Sequence, residues 1–131
     1  MKISTKGRYA LSIMISLAKG YKDNRYISLK EISENENISL KYLEKIMINL
    51  KKCDFFLVAK GKDGGYKLKK DPSNYSIGEI IRGAEEDLNV VDCVGNNCCL
   101  KRGKCSTYPL WKGLSDEIND YLNNKYLNEY I

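Results

Sequence analysis

The sequence of 131 residues contains no histidine and only two prolines. It has no apolar run near the roughly 20 residues that a membrane span requires. The basic residues Lys2, Lys6 and Arg8 are not followed by an apolar segment with a cleavage site, so nothing indicates a signal peptide. No activated nucleophile or acid–base pair stands out, so the sequence does not indicate an enzyme. We therefore expect a soluble, cytoplasmic protein with no membrane partner.

Acidic residues are scarce in the first half of the chain. Residues 1–70 carry 16 Lys or Arg against 7 Asp or Glu, whereas residues 71–131 carry 6 against 10. A basic half is typical of a phosphate-binding surface, although a solvated, lysine-rich surface would give the same count. The apolar content of 43% allows a small core, so we expect one domain, or one domain with an appended element.

Four of the five cysteines lie between Cys93 and Cys105. Cys93, Cys99 and Cys105 are evenly spaced, and the glycines and asparagines between them allow the backbone to curl. Such a segment can wrap an iron–sulfur cluster, because iron prefers soft thiolate sulfur. Structural zinc sites usually bring closer ligand pairs or histidine, and disulfides are uncommon outside secreted proteins. Zinc and ordinary thiols remain alternatives at this point.

Two short capped helices are predicted after a first helix over residues 1–20. Ser28 should cap the first of the two, with Glu31 completing a capping box, and Ser39 should cap the second. A turn is expected over residues 34–37. The buried stripe of the second short helix is predicted to be Leu40, Leu43, Ile46, Met47 and Leu50. This arrangement is a helix-turn-helix, whose second helix enters the major groove of DNA.

A β-hairpin with a basic turn is predicted over residues 54–70, and a hairpin at this place is a wing. The start of the first helix suits a phosphate, the recognition helix suits base edges, and the wing lysines suit a phosphate or a minor groove. A solvated surface residue is the alternative for each. The candidate DNA contacts are Thr5, Lys6, Arg8, Ser28, Ser39, Leu40, Lys41, Tyr42, Glu44, Lys45, Lys60 and Lys62. The expected partner is a double-stranded DNA operator.

A last helix is predicted around Pro109, which fits a first helical turn. Its apolar residues recur with the spacing 3, 4, 3, which makes a seam suited to a partner helix. Packing onto its own domain is the alternative. The predicted dimer residues are Trp111, Leu114, Ile118 and Tyr121, with Leu122 widening the seam. We favour a homodimer that presents two reading heads to a palindromic site.

The predicted fold class is mainly α with a small β-hairpin wing, as a winged helix-turn-helix plus a long C-terminal dimerisation helix. Residues 1–72 would form the DNA-binding domain. Residues 73–107 would hold a linker helix and the cysteine segment, with a capping box of Ser76 and Glu79 at the start of that helix. Residues 108–131 would form the dimerisation helix and a tail.

Several motifs together resemble the IscR-type winged-helix regulators of bacteria, an Rrf-type family that includes NsrR and CymR. They are S-T-K-G-R-Y-A, I-S-L-K-Y-L-E, G-K-D-G-G-Y-K-L, S-I-G-E-I-I-R and the three spaced cysteines followed by P-L-W. The resemblance implies a dimeric transcription factor whose iron–sulfur cluster sets its DNA binding, with IscR-like control of cluster-assembly genes. The alternative is the same fold sensing nitric oxide, redox state or cysteine supply. A small zinc or redox thiol protein is the second alternative.

The resemblance makes Cys93, Cys99 and Cys105 the ligands of a cluster, with 2Fe–2S favoured over 4Fe–4S. IscR-type members take a histidine three residues after the third cysteine as the fourth ligand, and here that position is Tyr108. The fourth ligand therefore stays open between Cys98 and Tyr108. Further alternatives are a group from the partner subunit and Asp92, Ser106 and Thr107.

The resemblance also covers the DNA-reading residues. Ser39, Lys41, Tyr42 and Glu44 match recognition-helix positions of the family. Lys60 stands where members often carry an arginine that reaches the minor groove. Lysine is a point charge rather than a planar fork, so we expect weaker reading of groove shape there.

Overall fold

The computed structural model describes residues 3–84 and 106–131, which form helices around a single small hairpin. The helices are α1 (Thr5–Lys19), α2 (Leu29–Glu36), α3 (Leu40–Lys51), α4 (Ile77–Gly83) and α5 (Tyr108–Asn123). The strands are β1 (Phe56–Ala59) and β2 (Gly65–Leu68), and short 3-10 helices span Pro72–Asn74 and Leu127–Tyr130. This architecture confirms the predicted fold class. Among the helices described, none is both long and apolar enough to cross a membrane.

Helix α1 lies at the centre of the core. The other elements that pack against it are α2, α3, α4, β2 and the last 3-10 helix. Its predicted apolar stripe is at most 3% exposed and consists of Ala10, Ile13, Met14, Leu17 and Ala18. Ser4 caps the start of α1 by accepting a hydrogen bond from the Gly7 amide, and Gly20 ends the helix as predicted.

The first helix of the helix-turn-helix differs from its prediction in two details. The Ser28 hydroxyl accepts from the Glu31 amide at 3.1 Å, as expected. The Glu31 carboxylate, however, pairs with Arg25, so the second half of the predicted capping box is wrong. Helix α2 also continues through the predicted turn to Glu36. It ends at Asn37, whose φ of 53° is a left-handed conformation that a short polar side chain tolerates.

Helix α3 starts at the predicted cap, where the Ser39 hydroxyl accepts from the Tyr42 amide at 3.4 Å. Most of the predicted stripe is buried, namely Leu43, Ile46, Met47 and Leu50. Leu40 is 40% exposed, so its place in the buried stripe was predicted wrongly. The helical repeat places Leu40 roughly 70° from the middle of that stripe, at the edge of the core.

The predicted hairpin is confirmed, and a third segment holds it against the helices. Strands β1 and β2 pair antiparallel over their four residues each. Tyr66 exchanges two backbone hydrogen bonds with Ile27, of 2.8 and 2.9 Å, just before α2. A Cβ at Gly65 would collide with the Ile27 backbone, so glycine is what allows this close approach.

The C-terminal tail is part of the same core. The Leu127 amide donates to the Tyr75 carbonyl at 2.9 Å, and the Ile77 amide donates to the Lys125 carbonyl at 2.8 Å. Leu127 is completely buried. The division into segments 1–72, 73–107 and 108–131 did not anticipate this packing, which ties the end of the chain to α1 and α4.

Tyr75 supplies the clearest test of what stabilises this core. It is fully buried, and its hydroxyl donates to the Phe55 carbonyl at 2.9 Å and accepts from the Lys70 amide at 3.1 Å. Tyr75→Phe would leave the Lys70 amide without this acceptor and the Phe55 carbonyl with the Lys69 amide as its remaining donor. We expect the free energy of unfolding to fall by about 1–3 kcal/mol, measured by urea denaturation. Tyr130→Phe, at an exposed ring, should change it little.

The same variant should also change how the free energy of unfolding depends on pH. Burial raises the pKa of Tyr75 above its ordinary value of 10.0. As the pH rises through that value, the unfolded chain releases its phenolic proton before the folded chain does, so the free energy of unfolding falls. Tyr75→Phe should lose less stability than the parent between about pH 9 and about pH 11. Equal losses in the two proteins would contradict this account of Tyr75.

Candidate functional site

The N-terminal ends of α1 and α3 meet at an aromatic contact. The rings of Tyr9 and Tyr42 lie edge to face, with their centroids 5.6 Å apart. An open cavity of about 480 Å³ beside this contact is lined by Tyr9, Asn37, Ile38, Ser39, Lys41, Tyr42 and Lys45. The structure thus brings several predicted recognition residues together. Tyr9 and Asn37 were not predicted as site residues. The sequence did offer a signal for Tyr9, because it follows Lys6 at the i, i+3 spacing that places Lys6 and Tyr9 on one helix face.

Helix α3 presents a polar face away from the core. Lys41, Glu44 and Lys45 are exposed, while Tyr42 is half-buried against α1. Lysines can donate to guanine or to phosphates, and a carboxylate can accept from the amino group of cytosine. Ile48 is 61% exposed on the same helix and was not among the predicted contacts.

The start of α1 carries the predicted phosphate contacts. Thr5 is its first residue, and the Arg8 guanidinium donates to the Thr5 hydroxyl at 3.4 Å. Lys6 between them is half-buried. Because Tyr9 joins this end of α1 to α3, both helix N-termini lie at one end of the domain, where cations and amides suit a DNA backbone. Ser28 is half-buried and engaged as the cap of α2.

The wing carries two cations that are not engaged by carboxylates. Lys60 and Lys62 are exposed, and within residues 3–84 and 106–131 neither takes part in an ion pair. Lys67, farther along the hairpin, instead donates to the Asn24 side chain, and its ammonium lies 5.2 Å from the centroid of the Tyr26 ring. Lys60 and Lys62 are therefore the wing cations that remain available for a ligand.

The predicted metal ligands Cys93, Cys98, Cys99 and Cys105 lie outside the described residues. Tyr108, the other candidate for the fourth ligand, is the half-buried first residue of α5. The part of the chain that the structure describes contains no group of three or more acidic or cysteine side chains that could hold a metal. The donor set of the cysteine segment fits an iron–sulfur cluster chemically, because it supplies three soft anionic sulfurs.

The helices on either side of the cysteine segment contact each other. The Arg82 guanidinium on α4 donates to the Asn119 side chain at 3.2 Å and also to the Asn123 side chain on α5. A Cβ at Gly78 would collide with Asn123, so the two helices approach closely at this glycine. Ser115, on the same side of α5, is buried. Helix α5 therefore packs on its own domain through a largely polar face.

The other face of α5 is apolar and open, and we call it the seam. Its residues are Leu110, Trp111, Leu114, Ile118 and Tyr121, of which Trp111 and Ile118 are half-buried and the others are exposed. Tyr121 is 62% exposed. Leu122 is half-buried and packs against the intramolecular core, and its part in widening the seam stays a prediction. Packing onto the domain and an exposed apolar face thus coexist on opposite sides of one helix.

Comparison with known proteins identifies the family to which this chain belongs. Residues 3–131 match the profile of Rrf2, which is described as an iron-dependent transcriptional regulator. The chain belongs to the Rrf2 family. It is 37% identical over 131 residues to the HTH-type transcriptional regulator IscR of Escherichia coli K12. The alignment covers 100% of this chain and 80% of that relative.

Solved Rrf2 structures share the fold. CymR, the global cysteine regulator of B. subtilis, superposes with a TM-score of 0.79 at 34% identity, covering 98% of this chain and 94% of that one. IscR of T. potens superposes with a TM-score of 0.73 at 26% identity, covering 98% and 84%. This Rrf2 protein is therefore a winged-helix, HTH-type transcriptional regulator, and its family is one of regulators rather than of enzymes.

Proposed function

We propose that this Rrf2 regulator holds an iron–sulfur cluster on Cys93, Cys99 and Cys105, and that cluster occupancy sets how a homodimer binds its operator. The observation that carries the proposal is a set of three evenly spaced thiols in the segment that joins α4 to α5. The family description as iron-dependent and the match to IscR support it. The resemblance favours a 2Fe–2S cluster, with Cys98 or Tyr108 as the fourth ligand.

The DNA-reading part of the proposal uses the surface described above. Helix α3 would enter the major groove, where Lys41, Glu44 and Lys45 face the base edges. The start of α1 and the wing lysines would contact phosphates on either side. In a two-fold dimer, two such surfaces would read half-sites about 34–36 Å apart, one helical turn of DNA.

Coupling between the cysteine segment and DNA would run through packed helices. Helix α4, which precedes the segment, packs on α1 and α3, and α5, which follows it, packs on α4. A bound cluster supplies a signal of iron and sulfide supply, since it forms only when both are present. If α4 and α5 pack differently when the thiolates are loaded, operator affinity must change, and DNA must change cluster affinity by the same factor.

The experiment that tests this assignment is anaerobic purification followed by visible absorbance and assays of iron and acid-labile sulfide. We expect coloured protein with about two irons and two sulfides per chain, the content of a 2Fe–2S cluster. Colourless protein without iron, from cells given ample iron, would contradict the proposal.

A CymR-like thiol regulator is the second candidate, and it is favoured by structural similarity. The oxidised form of Staphylococcus aureus CymR superposes with a TM-score of 0.78 at 35% identity, covering 100% of this chain and 98% of that one. This candidate requires no iron. It predicts colourless protein whose operator binding changes when thiols are oxidised, so the same anaerobic preparation separates the two.

Lys60→Ala tests the wing. Removing one phosphate contact from each of two wings should lower the slope of log affinity against log salt by about 2. It should also weaken operator binding on the order of tenfold near physiological salt, while the unfolding transition stays in place. Fluorescence anisotropy with labelled operator at several salt concentrations measures both quantities.

Lys22→Ala is the matched control, because it removes the same charge from an exposed site beside Asp71 and Pro72. It should leave the salt slope nearly unchanged. Equal operator affinity of the parent and Lys60→Ala would remove the wing from the DNA-binding surface.

A further inference from the structure

We propose that Ile48 reads thymine in the operator by packing its side chain against the C5-methyl group of that base in the major groove. This inference rests on the proposed placement of α3 in the groove and deepens it. The contacts proposed above for α3 act through charges and hydrogen bonds, whereas Ile48 would add a base-specific contact that is apolar.

Ile48 lies near the centre of the outward face of α3. The middle of the buried stripe of this helix marks the direction of the core. At about 100° per residue, Ile48 points about 150° away from that direction and within about 20° of Lys41. Its exposure to solvent agrees with this orientation. The helix therefore presents Ile48 in the same direction as the first of its reading lysines.

The length of α3 allows Ile48 to reach base edges. Two helical turns separate it from Lys41, about 10 Å along the axis. Successive base pairs are about 3.4 Å apart, so a helix lying along the groove would place Ile48 about three base pairs from the base that Lys41 faces. The major groove is about 12 Å wide and 8.5 Å deep and admits a whole α-helix. Residues from two turns of α3 can thus meet bases.

The chemistry of the major groove decides which base suits an isoleucine. Thymine presents its C5-methyl group there, whereas the other three bases present hydrogen-bond donors and acceptors. The phosphates that border the groove suit cations, and exposed Lys52, four residues after Ile48, can supply one. An apolar side chain between Lys41 and Lys52 therefore fits a thymine methyl group better than it fits a phosphate or another base.

The surroundings of Ile48 do not suit a protein partner. Glu44, Lys45, Lys51 and Lys52 lie three or four residues away, so they adjoin Ile48 on the helix surface, and all four are exposed. Patches that bind proteins are contiguous apolar areas of several hundred Å², and charged residues are depleted at their centres. A single apolar side chain among charges fits a partner that is itself charged, as DNA is.

Replacing thymine by deoxyuridine tests the contact, because it removes the methyl group and keeps every hydrogen-bonding atom of the base. Operator duplexes would be selected from random-sequence DNA with the anaerobically prepared, full-length protein. Each thymine would then be replaced in both half-sites, and affinity measured by anisotropy at one salt concentration. We expect one symmetry-related pair of replacements to weaken binding about tenfold, since one buried methyl group contributes a factor of about three to four at each half-site.

Ile48→Ala gives the comparison that identifies the residue in contact. This variant should bind the thymine duplex and that deoxyuridine duplex within about twofold of each other. Its unfolding transition should match that of the parent, because the side chain is exposed. Ile131→Ala is the matched control, since it removes the same, similarly exposed side chain beside Ala18 and Lys19 at the far end of α1. It should keep the full loss of affinity on deoxyuridine.

The outcomes separate this contact from the proposed placement of α3. If no deoxyuridine weakens the parent, or if the parent and Ile48→Ala lose equal affinity at every position, the thymine contact is wrong while reading by α3 stands. A uniform loss for Ile48→Ala on all duplexes would also overturn the contact. If Lys41→Ala, Lys45→Ala and Ile48→Ala all keep the affinity and sequence preference of the parent, both the contact and the placement of α3 are wrong.

Discussion

Replacing Cys99 by alanine should yield a protein that folds but no longer holds an iron–sulfur cluster. The change removes one of three thiolates, and the remaining donors cannot satisfy the coordination of the irons. We expect the visible absorbance and the iron content of anaerobically prepared protein to fall about tenfold or more. Because the buried residues of α1, α3 and the hairpin pack on one another, the far-ultraviolet circular dichroism should be unchanged.

The fifth cysteine provides the matched control. The Cys53 thiol lies at the end of α3, 3.7 Å from the Asn49 carbonyl and 3.9 Å from the Gly83 carbonyl. Cys53→Ala should keep the visible spectrum, whereas Cys98→Ala should lose it only if Cys98 is the fourth ligand. A Cys99→Ala protein with the spectrum and iron content of the parent would remove Cys99 from the ligand set.

Replacing Leu114 by arginine should convert the dimer to a monomer and abolish tight operator binding. Leu114 is exposed in the middle of the seam, so the arginine costs the single chain little but places a charge in an apolar interface. In a dimer, binding of the first reading head holds the second at a high effective concentration near its half-site. A monomer loses this gain, and we expect operator affinity to fall by about 10²–10⁴. Sedimentation and anisotropy measure the two effects separately.

Gly113→Arg adds the same charge one residue earlier, at a position of α5 where an added Cβ would have no neighbouring atom within 4 Å. It should leave both the dimer and the operator affinity close to those of the parent. If Leu114→Arg remains dimeric and binds the operator as tightly as Gly113→Arg does, the seam is not the dimer interface.

Local signals in the sequence predicted most of the helices and the hairpin. The stripe of α1 and the caps at Ser28, Ser39 and Ser76 depend on residues three or four apart, which the sequence shows directly. Glu31 was misassigned because its carboxylate had two partners within reach. It formed the ion pair with Arg25 rather than the capping box.

Features that depend on distant parts of the chain could not be predicted in this way. The burial of Leu127 follows from its hydrogen bond to the Tyr75 carbonyl, 52 residues earlier in the chain, and nothing in the tail itself indicates that partner. The polar face of α5 likewise becomes a packing surface only because Arg82 lies opposite it. The thiols Cys93, Cys99 and Cys105 were predicted as ligands from the family resemblance together with their spacing, and they stay a prediction, since they lie outside the described residues.

The central claim is that cluster occupancy changes how the dimer binds DNA, and operator affinity of the two forms tests it most directly. Promoter fragments would be recovered by selecting genomic DNA with each form, and anisotropy would be measured under anaerobic conditions at one fixed salt concentration. We predict that cluster-loaded and metal-free protein differ in affinity by about 5–150-fold on at least one fragment, the range typical of coupled sites. Superimposable binding curves on every fragment would contradict the account.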